Sequence, residues 1–267
     1  MNLINLIYEV QKKEEIYEKK SHYPSEVNKC IRQIWYKWKN IEPSNPITPQ
    51  AWVKMKMGNA IHDLVFRWLE KSGIEIVNEI SGEKRLEGLK YPIRYRLDNI
   101  AIDKDLNKMI GIEIKTGFAR GIDEIKKQNK PKDEHLNQVL LYMLISDIDI
   151  FHILYIARDN GYMYDFLIDI RADKYCIDGR PIEFDVKELY QQFFDIEKTI
   201  EKPEPPEREY MVIIKNGEIK DKIQKDKIIY KTDWQCQYCQ WRDLCWKDVL
   251  EKYNDYIPQI NYYEVKK

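Results

Sequence analysis

The spacing of apolar and polar positions divides the chain into helical, strand-like and again helical text. Residues 2–20 alternate apolar and charged groups at roughly helical steps and predict a helix. Ser25 fits the cap of a second helix, with Asn28 and Cys30 in its early turns and Ile31, Ile34, Trp35 and Trp38 on its inner side. The stretch Glu42-Pro43-Ser44-Asn45-Pro46 breaks it. A third helix is expected over 50–72, where Trp52, Met55, Ile61, Val65 and Leu69 recur at three- and four-residue spacings and Gly73 supplies the stop. The period then changes to that of strands at Ile74–Ile80, Tyr91–Asp103 and Met109–Lys115, the last two joined by a turn containing Lys104-Asp105-Leu106-Asn107. A lysine-rich polar loop (126–132) leads to a helix over 133–146. Phe151–Arg158 and Tyr162–Ile170 predict a hairpin turning at Asn160-Gly161. A long helix follows over 184–202, then a linker (Lys202-Pro203-Glu204-Pro205-Pro206) and a small hairpin over Tyr210–Ile219 turning at Asn216-Gly217. No internal repeat is present. Helix, strands, helix, strands, helix reads as an α/β fold with a mixed sheet.

Composition narrows the setting. With 267 residues, 43% hydrophobic and 33% charged, the chain is globular in character. Its net charge is −1, so a nucleic-acid site has to be a local basic patch, not a global field. The abundance of Lys, Glu, Ile and Tyr fits a thermophile and an AT-rich genome equally well. The N-terminus lacks a basic start followed by an apolar run, and no stretch approaches the roughly 18–20 apolar residues that span a bilayer. The expectation is a cytoplasmic protein without membrane contact, in which thiols stay reduced.

Chemistry enters at Ile112-Glu113-Ile114-Lys115. On a strand, Glu113 and Lys115 point to one face and the two isoleucines to the other. If Lys104–Asn107 form a four-residue loop, Asp103 pairs with Lys108 and Asp98 falls opposite Glu113. A loop one residue longer or shorter would turn Asp98 away. Two carboxylates on one face can hold Mg²⁺ or Mn²⁺, which acidifies a bound water and steadies charge on a phosphate; a neighbouring lysine can orient the water or neutralise the phosphate. A lone ExK is usually an ordinary surface pair. Here four further features stand with it. His62, after Gly58-Asn59-Ala60-Ile61, sits on the apolar side of a helix, and Gln138 and Tyr142 are one helical turn apart. Arg96 precedes Asp98 by two, and the 126–132 lysine run follows closely enough to meet phosphates.

The series Gly58-x3-His62, Asp98, Glu113-x-Lys115, Gln138-x3-Tyr142 resembles the RecB-type branch of the PD-(D/E)xK nucleases. The resemblance implies a restriction-endonuclease-like core with a mixed central sheet flanked by helices. It also implies metal ligation by His62, Asp98, Glu113 and the Ile114 carbonyl. Lys115 would be catalytic, and Gln138 and Tyr142 would support the site and touch DNA.

The cysteines form a second pattern. Cys236-x2-Cys239-x5-Cys245 gathers three thiols within ten residues, and Cys30 is the fourth candidate. Zinc prefers two CxxC-like pairs, whereas iron-sulfur clusters tolerate a one-plus-three split. Cys176 fits no spacing. This split, with Ser25-x4-Cys30-x-Arg32-x3-Tyr36, is similar to the iron-sulfur nucleases of the same branch: the CRISPR-associated Cas-four exonucleases, the AddB subunit and the nuclease domain of the Dna-two helicase. It implies a 4Fe-4S cluster on Cys30, Cys236, Cys239 and Cys245, joining the two ends of the chain around the core. The expected organisation is an N-terminal helical segment (1–50), a nuclease core (51–202) and a linker, hairpin and cysteine segment (203–267).

Two departures from the family pattern are visible: a long stretch over 207–233, and Arg-Leu before Asp98 in place of a glycine-containing step. No GxxxxGKS/T motor motif occurs. The implied function is a stand-alone exonuclease acting on single-stranded DNA or duplex ends, in CRISPR spacer acquisition with adaptation proteins as partners. The alternatives are a virus- or phage-encoded nuclease working with recombination proteins, and an inactive metal-cluster DNA-binding protein. Aromatic residues near the N-terminus (Tyr23, Trp35, Tyr36, Trp38, Trp52) could stack bases, although core packing is the commoner role.

Overall fold

The computed structural model describes residues 2–11, 19–105, 107–220, 222–225, 228–231, 233–252 and 255–256. Contacts group them into a larger unit (20–28 and 49–195) and a smaller one (up to 19, 29–48 and from 196 on). The first helix, α1, covers Leu3–Gln11, and the rest of the expected 2–20 helix lies largely outside the described residues. The second helix differs from expectation. Ser25 lies inside a single 3-10 turn, Pro24–Glu26, and α2 begins only at Ile31 and ends at Trp38, with Cys30 in the cap position. Asn28 is the reason: its φ of 64° is left-handed and interrupts any helix running from Ser25 to Cys30.

In the larger unit, α3 spans Pro49–Lys71, and Gly73 (φ 87°) turns the chain out of it. Strands β1 (Glu75–Lys84), β2 (Ile93–Asp103) and β3 (Lys108–Gly117) follow as an antiparallel meander. Next comes α4 (Ala119–Gln128), which the sequence reading missed. Lys126 and Lys127 form its last turn, so the first part of the lysine run is helix and only the remainder is loop. Helix α5 (Asp133–Ser146) leads to β4 (Ile150–Ala157), β5 (Met163–Arg171), β6 (Lys174–Ile177) and β7 (Arg180–Pro181). The seven strands lie in chain order in one sheet, and only β3 and β4 run parallel. A parallel pair needs a long crossover, and α4 and α5 provide it. The fold is thus mixed α/β, with a large, mostly antiparallel sheet flanked by helices.

The sheet core explains the order. Ile112 and Ile114 pack with Ala101, Ile156 and Val65 of α3, with Ile61 and Leu69 closing over them. Gly111 lies opposite Phe151, and a Cβ there would stand 2.1 Å from the phenylalanine ring. Gly111→Ala is therefore expected to lose about 1–3 kcal/mol by overpacking. A urea midpoint unchanged from wild type would refute this account of the strand pair.

Helix α6 (Val186–Ile200) begins in the larger unit and runs into the sequence of the smaller one. Beyond it lie β8 (Ile213–Lys215) and β9 (Glu218–Lys220), whose turn uses left-handed Asn216 and Gly217 as the sequence predicts. A second small ladder, β10 (Lys222–Lys225) with β11 (Ile228–Lys231), accounts for part of the long stretch before the cysteines. Short helices α7 (Trp234–Gln237), α8 (Arg242–Cys245) and α9 (Lys247–Lys252) follow, and β12 (Asp255–Tyr256) pairs with β8. Within this unit, residues 29–48 are laced to the C-terminal segment. Trp241 Nε1 donates to the Ile41 carbonyl (2.8 Å), Asn45 exchanges two hydrogen bonds with Asp243, and Arg32 Nη1 donates to the Pro206 carbonyl (2.6 Å). Trp35, Tyr36 and Trp241 make one buried cluster, and Val212, Ile214 and Trp246 another. Among the described residues no helix is long and apolar enough to cross a membrane.

Candidate active site

The register that the four-residue loop implies is present: Asp103 pairs with Lys108, and the ladder between β2 and β3 runs on to Asn99 and Ile112. There it stops. One residue further, Asp98 Oδ2 accepts the Ile114 N–H (2.8 Å), so a carboxylate replaces the backbone partner that β2 would otherwise provide. The strands fork at this point, and the fork is the candidate site.

Around it, side chains converge from four elements. His62 reaches in from α3, its Nδ1 3.2 Å from Asp98 Oδ1. Glu113 is buried, and its Oε1 lies 2.6 Å from Lys115 Nζ. The same ammonium donates to Gln138 Oε1 (2.9 Å), and Gln138 Nε2 donates to the Tyr142 hydroxyl (2.6 Å). One turn of α5 thus presents Gln138 and Tyr142 together, as their spacing requires. Asp98, Glu113, Gln138 and Tyr142 line one cleft of about 800 Å³.

Electrostatics follow from burial and crowding. Burial raises the Glu113 pKa to about 7, Lys115 opposes the rise and the charge on Asp98 adds to it. Burial alone would lower the His62 pKa, but the hydrogen bond to Asp98 and the charges of Asp98 and Glu113 raise it overall. Burial also raises that of Tyr142, which stays a neutral hydroxyl. Two carboxylates that repel each other beside a histidine are a donor set that a hard divalent cation would relieve. Among the described residues no three His, Cys, Asp or Glu side chains are spaced as ligands of one metal ion. The carboxylates are bonded instead to His62, Lys115 and the Ile114 N–H.

Sequence reasoning missed His135 and Tyr155. His135, one turn before Gln138, shares a 2.9 Å hydrogen bond with the hydroxyl of Tyr155, which pairs with Lys115 across β3 and β4. Burial, then the charges of Lys115 and Lys132, push the His135 pKa down to about 2, so it stays neutral. The three-residue step from His135 to Gln138 is the signal that could have found it. Of the lysine run, Lys126 lies over Tyr162 and Tyr164, and Lys130 pairs with Asp133 (2.6 Å).

In the smaller unit Cys30, Cys236, Cys239 and Cys245 line one pocket with Tyr36 and Trp246, all four as free thiols. Cys30 N donates to Gln235 Oε1 (2.9 Å), fixing the cap of α2 against α7. Burial pushes the Cys30 thiol up to about 11, helped by Glu209 and Cys239. Cys236 rises to about 12 through burial and the charges of Cys30, Asp233 and the other two thiols. Four thiols lining one pocket are soft donors of the type that thiolate-bound metals use, although among the described residues no three of them are spaced as ligands of one ion. Cys176 stands apart, buried on β6.

No protein-family model and no curated protein matches the chain. Among solved structures, the crystal structure of SSO0001 superposes with a TM-score of 0.54 at 18% identity, over 91% of this chain and 94% of that one. The two share a fold. An alkaline exonuclease from Laribacter hongkongensis aligns at a TM-score of 0.42 and 13% identity, over 68% of this chain and 88% of its own. Its complex with dAMP aligns at 0.40 and 15%, with the same coverage.

Proposed function

We propose that the chain is a metal-dependent DNA nuclease of the PD-(D/E)xK class, RecB-type, with a 4Fe-4S cluster in the smaller unit. The observation that carries this reading is the forked strand pair. Asp98 and Glu113 meet in one cleft, and Lys115 is held between Glu113 and Gln138. Asp98, Glu113, His62 and the Ile114 carbonyl would hold Mg²⁺ or Mn²⁺, supplying charge neutralisation at the phosphate and a more acidic water. The chain's own groups do the rest. Lys115 has an ammonium fixed by two acceptors, so it can orient an attacking water and balance negative charge on the phosphate without reorganising. Tyr142, donor-bonded from Gln138, locks the amide so that its oxygen faces Lys115. The four cysteines would hold the cluster in a structural role, as in the Cas-four-like exonucleases, and CRISPR spacer acquisition is the setting that the resemblance favours.

The test uses end-labelled single-stranded, duplex and circular DNA with Mn²⁺, Mg²⁺ or chelator. Cleavage of linear substrates that needs the cation, with circles resistant, is the expected result. Cation-dependent binding without cleavage would overturn the catalytic assignment and favour an inactive DNA-binding protein. Cleavage of circles would count against an exonuclease.

A further inference from the structure

The cleft that holds Asp98 and Glu113 has a second half, and its residues are of another kind. Tyr23 and Ser25 line one part of it, and Glu83, Arg94, Tyr95 and Arg96 another. Two arginines therefore share a cavity with the carboxylates of Glu83, Asp98 and Glu113, yet their situations differ. Arg94 Nε is hydrogen-bonded to Glu83 Oε2 (3.2 Å), so its charge is already matched. Arg96 comes only within 4.0 Å of Glu79 Oε1, beyond hydrogen-bond reach, and 65% of its side chain is exposed. It is not needed to balance the catalytic carboxylates, because His62 and Lys115 do that. It does share a face of β2 with Asp98, two residues away and so about 7 Å along the strand. That is close to one nucleotide step of an extended polynucleotide. Its charge also reaches Tyr142 at the other end of the cleft.

The aromatic groups are placed to complement it. Gly82 lies opposite Tyr95, and a Cβ on Gly82 would stand 2.2 Å from that ring, so the tyrosine occupies the space a side chain would take. Tyr95 is thereby fixed at the edge of the cleft, on the face of β2 opposite Arg96 and Asp98. Tyr23 leaves 41% of its surface exposed while lining the same cavity. A guanidinium whose ion pair is as long as 4.0 Å and an exposed ring in the same cavity are the two kinds of contact that a phosphate and its base require.

We propose that Arg96 and Tyr23 form a subsite for the nucleotide next to the scissile phosphate, Arg96 taking the flanking phosphate and Tyr23 stacking its base. This rests on reading the cleft as a nuclease site. Arg96 and Tyr23 are positioning residues: they fix where along the strand the reacting phosphate sits.

The test measures binding of short single-stranded DNA oligonucleotides to the full chain in Ca²⁺, over a range of salt. A parallel set carries one abasic position, moved stepwise along the strand. Arg96→Ala is expected to weaken binding about tenfold and to reduce the salt slope by about 0.7. Arg96→Lys should restore the slope but not all of the affinity. In wild type one abasic position should weaken binding about 5- to 100-fold. Tyr23→Ala should abolish that position's penalty, and Tyr23→Phe should retain it. In cleavage assays the Arg96→Ala loss should fall on KM and not kcat. An unchanged salt slope in Arg96→Ala, or the same abasic profile in wild type and Tyr23→Ala, would overturn the subsite even if DNA is cleaved. If wild type cleaves no DNA, the nuclease reading fails and the binding arms still decide the subsite.

Discussion

Replacing Lys115 by methionine is expected to lower the rate of DNA cleavage by about 10²–10³-fold while the larger unit stays folded. The loss should appear equally in kcat and kcat/KM, as expected for a group held by Glu113 and Gln138 to act on the transition state. Removing one partner of a buried ion pair commonly costs about 3–5 kcal/mol. Here Glu113 has an escape, since burial already raises its pKa to about 7 and the freed carboxyl can take up a proton. The sign follows from that direction. A carboxyl whose folded pKa lies above its unfolded value binds protons more tightly when folded, so stability falls as pH rises through that interval. In chelator, Lys115→Met should therefore be nearly as stable as wild type near pH 5 and clearly less stable at pH 8. Equal urea midpoints at both pH values would sink the account of Glu113, and retained cleavage would sink the role of Lys115.

The second large effect belongs to the smaller unit. Cys236→Ala or Cys30→Ala should abolish the visible charge-transfer absorption of anaerobically prepared protein and lower its melting temperature by more than about 10 °C. The reasoning is thermodynamic. The Cys30 and Cys236 thiols stay protonated at neutral pH without a compensating centre, so whatever binds them contributes its binding energy to this unit's stability. Two short polypeptide segments would depend on such a centre, because the hydrophobic clusters around Trp35 and Trp246 are small. Cys176→Ser is the control. Its thiol belongs to the sheet of the larger unit, and the absorption should survive its loss. A colourless wild-type protein carrying zinc would refute the iron-sulfur assignment, and a loss of colour in Cys176→Ser would refute the four-cysteine set.

What the sequence disclosed follows from how strongly each element repeats. Helices α3 and α5 were legible because their apolar positions recur over several turns, and β2 and β3 because a short polar turn fixes their register. Helix α4 was not. It buries only Ile122 and Ile125, carries Gly121 and ends in lysines, so it reads as a polar loop. The start of α2 was misplaced because Asn28 turns left-handed, a local choice that no periodicity reports. In the candidate site Glu113 and Lys115 could be read from spacing on one strand, Asp98 from the register of β2 with β3, and Gln138 with Tyr142 from one helix turn. The His135–Tyr155 pair, and the half of the cleft formed by Tyr23 and Arg96, depend on which elements neighbour one another in space.

The division of the smaller unit between both ends of the sequence has a consequence during synthesis. Cys30 leaves the ribosome early, whereas Cys236, Cys239 and Cys245 follow only after the whole of the larger unit. At about 5–20 residues per second, Cys30 waits on the order of 10–40 s for the partners with which it shares a pocket. The larger unit has that interval in which to fold alone, and the thiol that begins the wait is exposed to any oxidant or stray metal until the last cysteine is made.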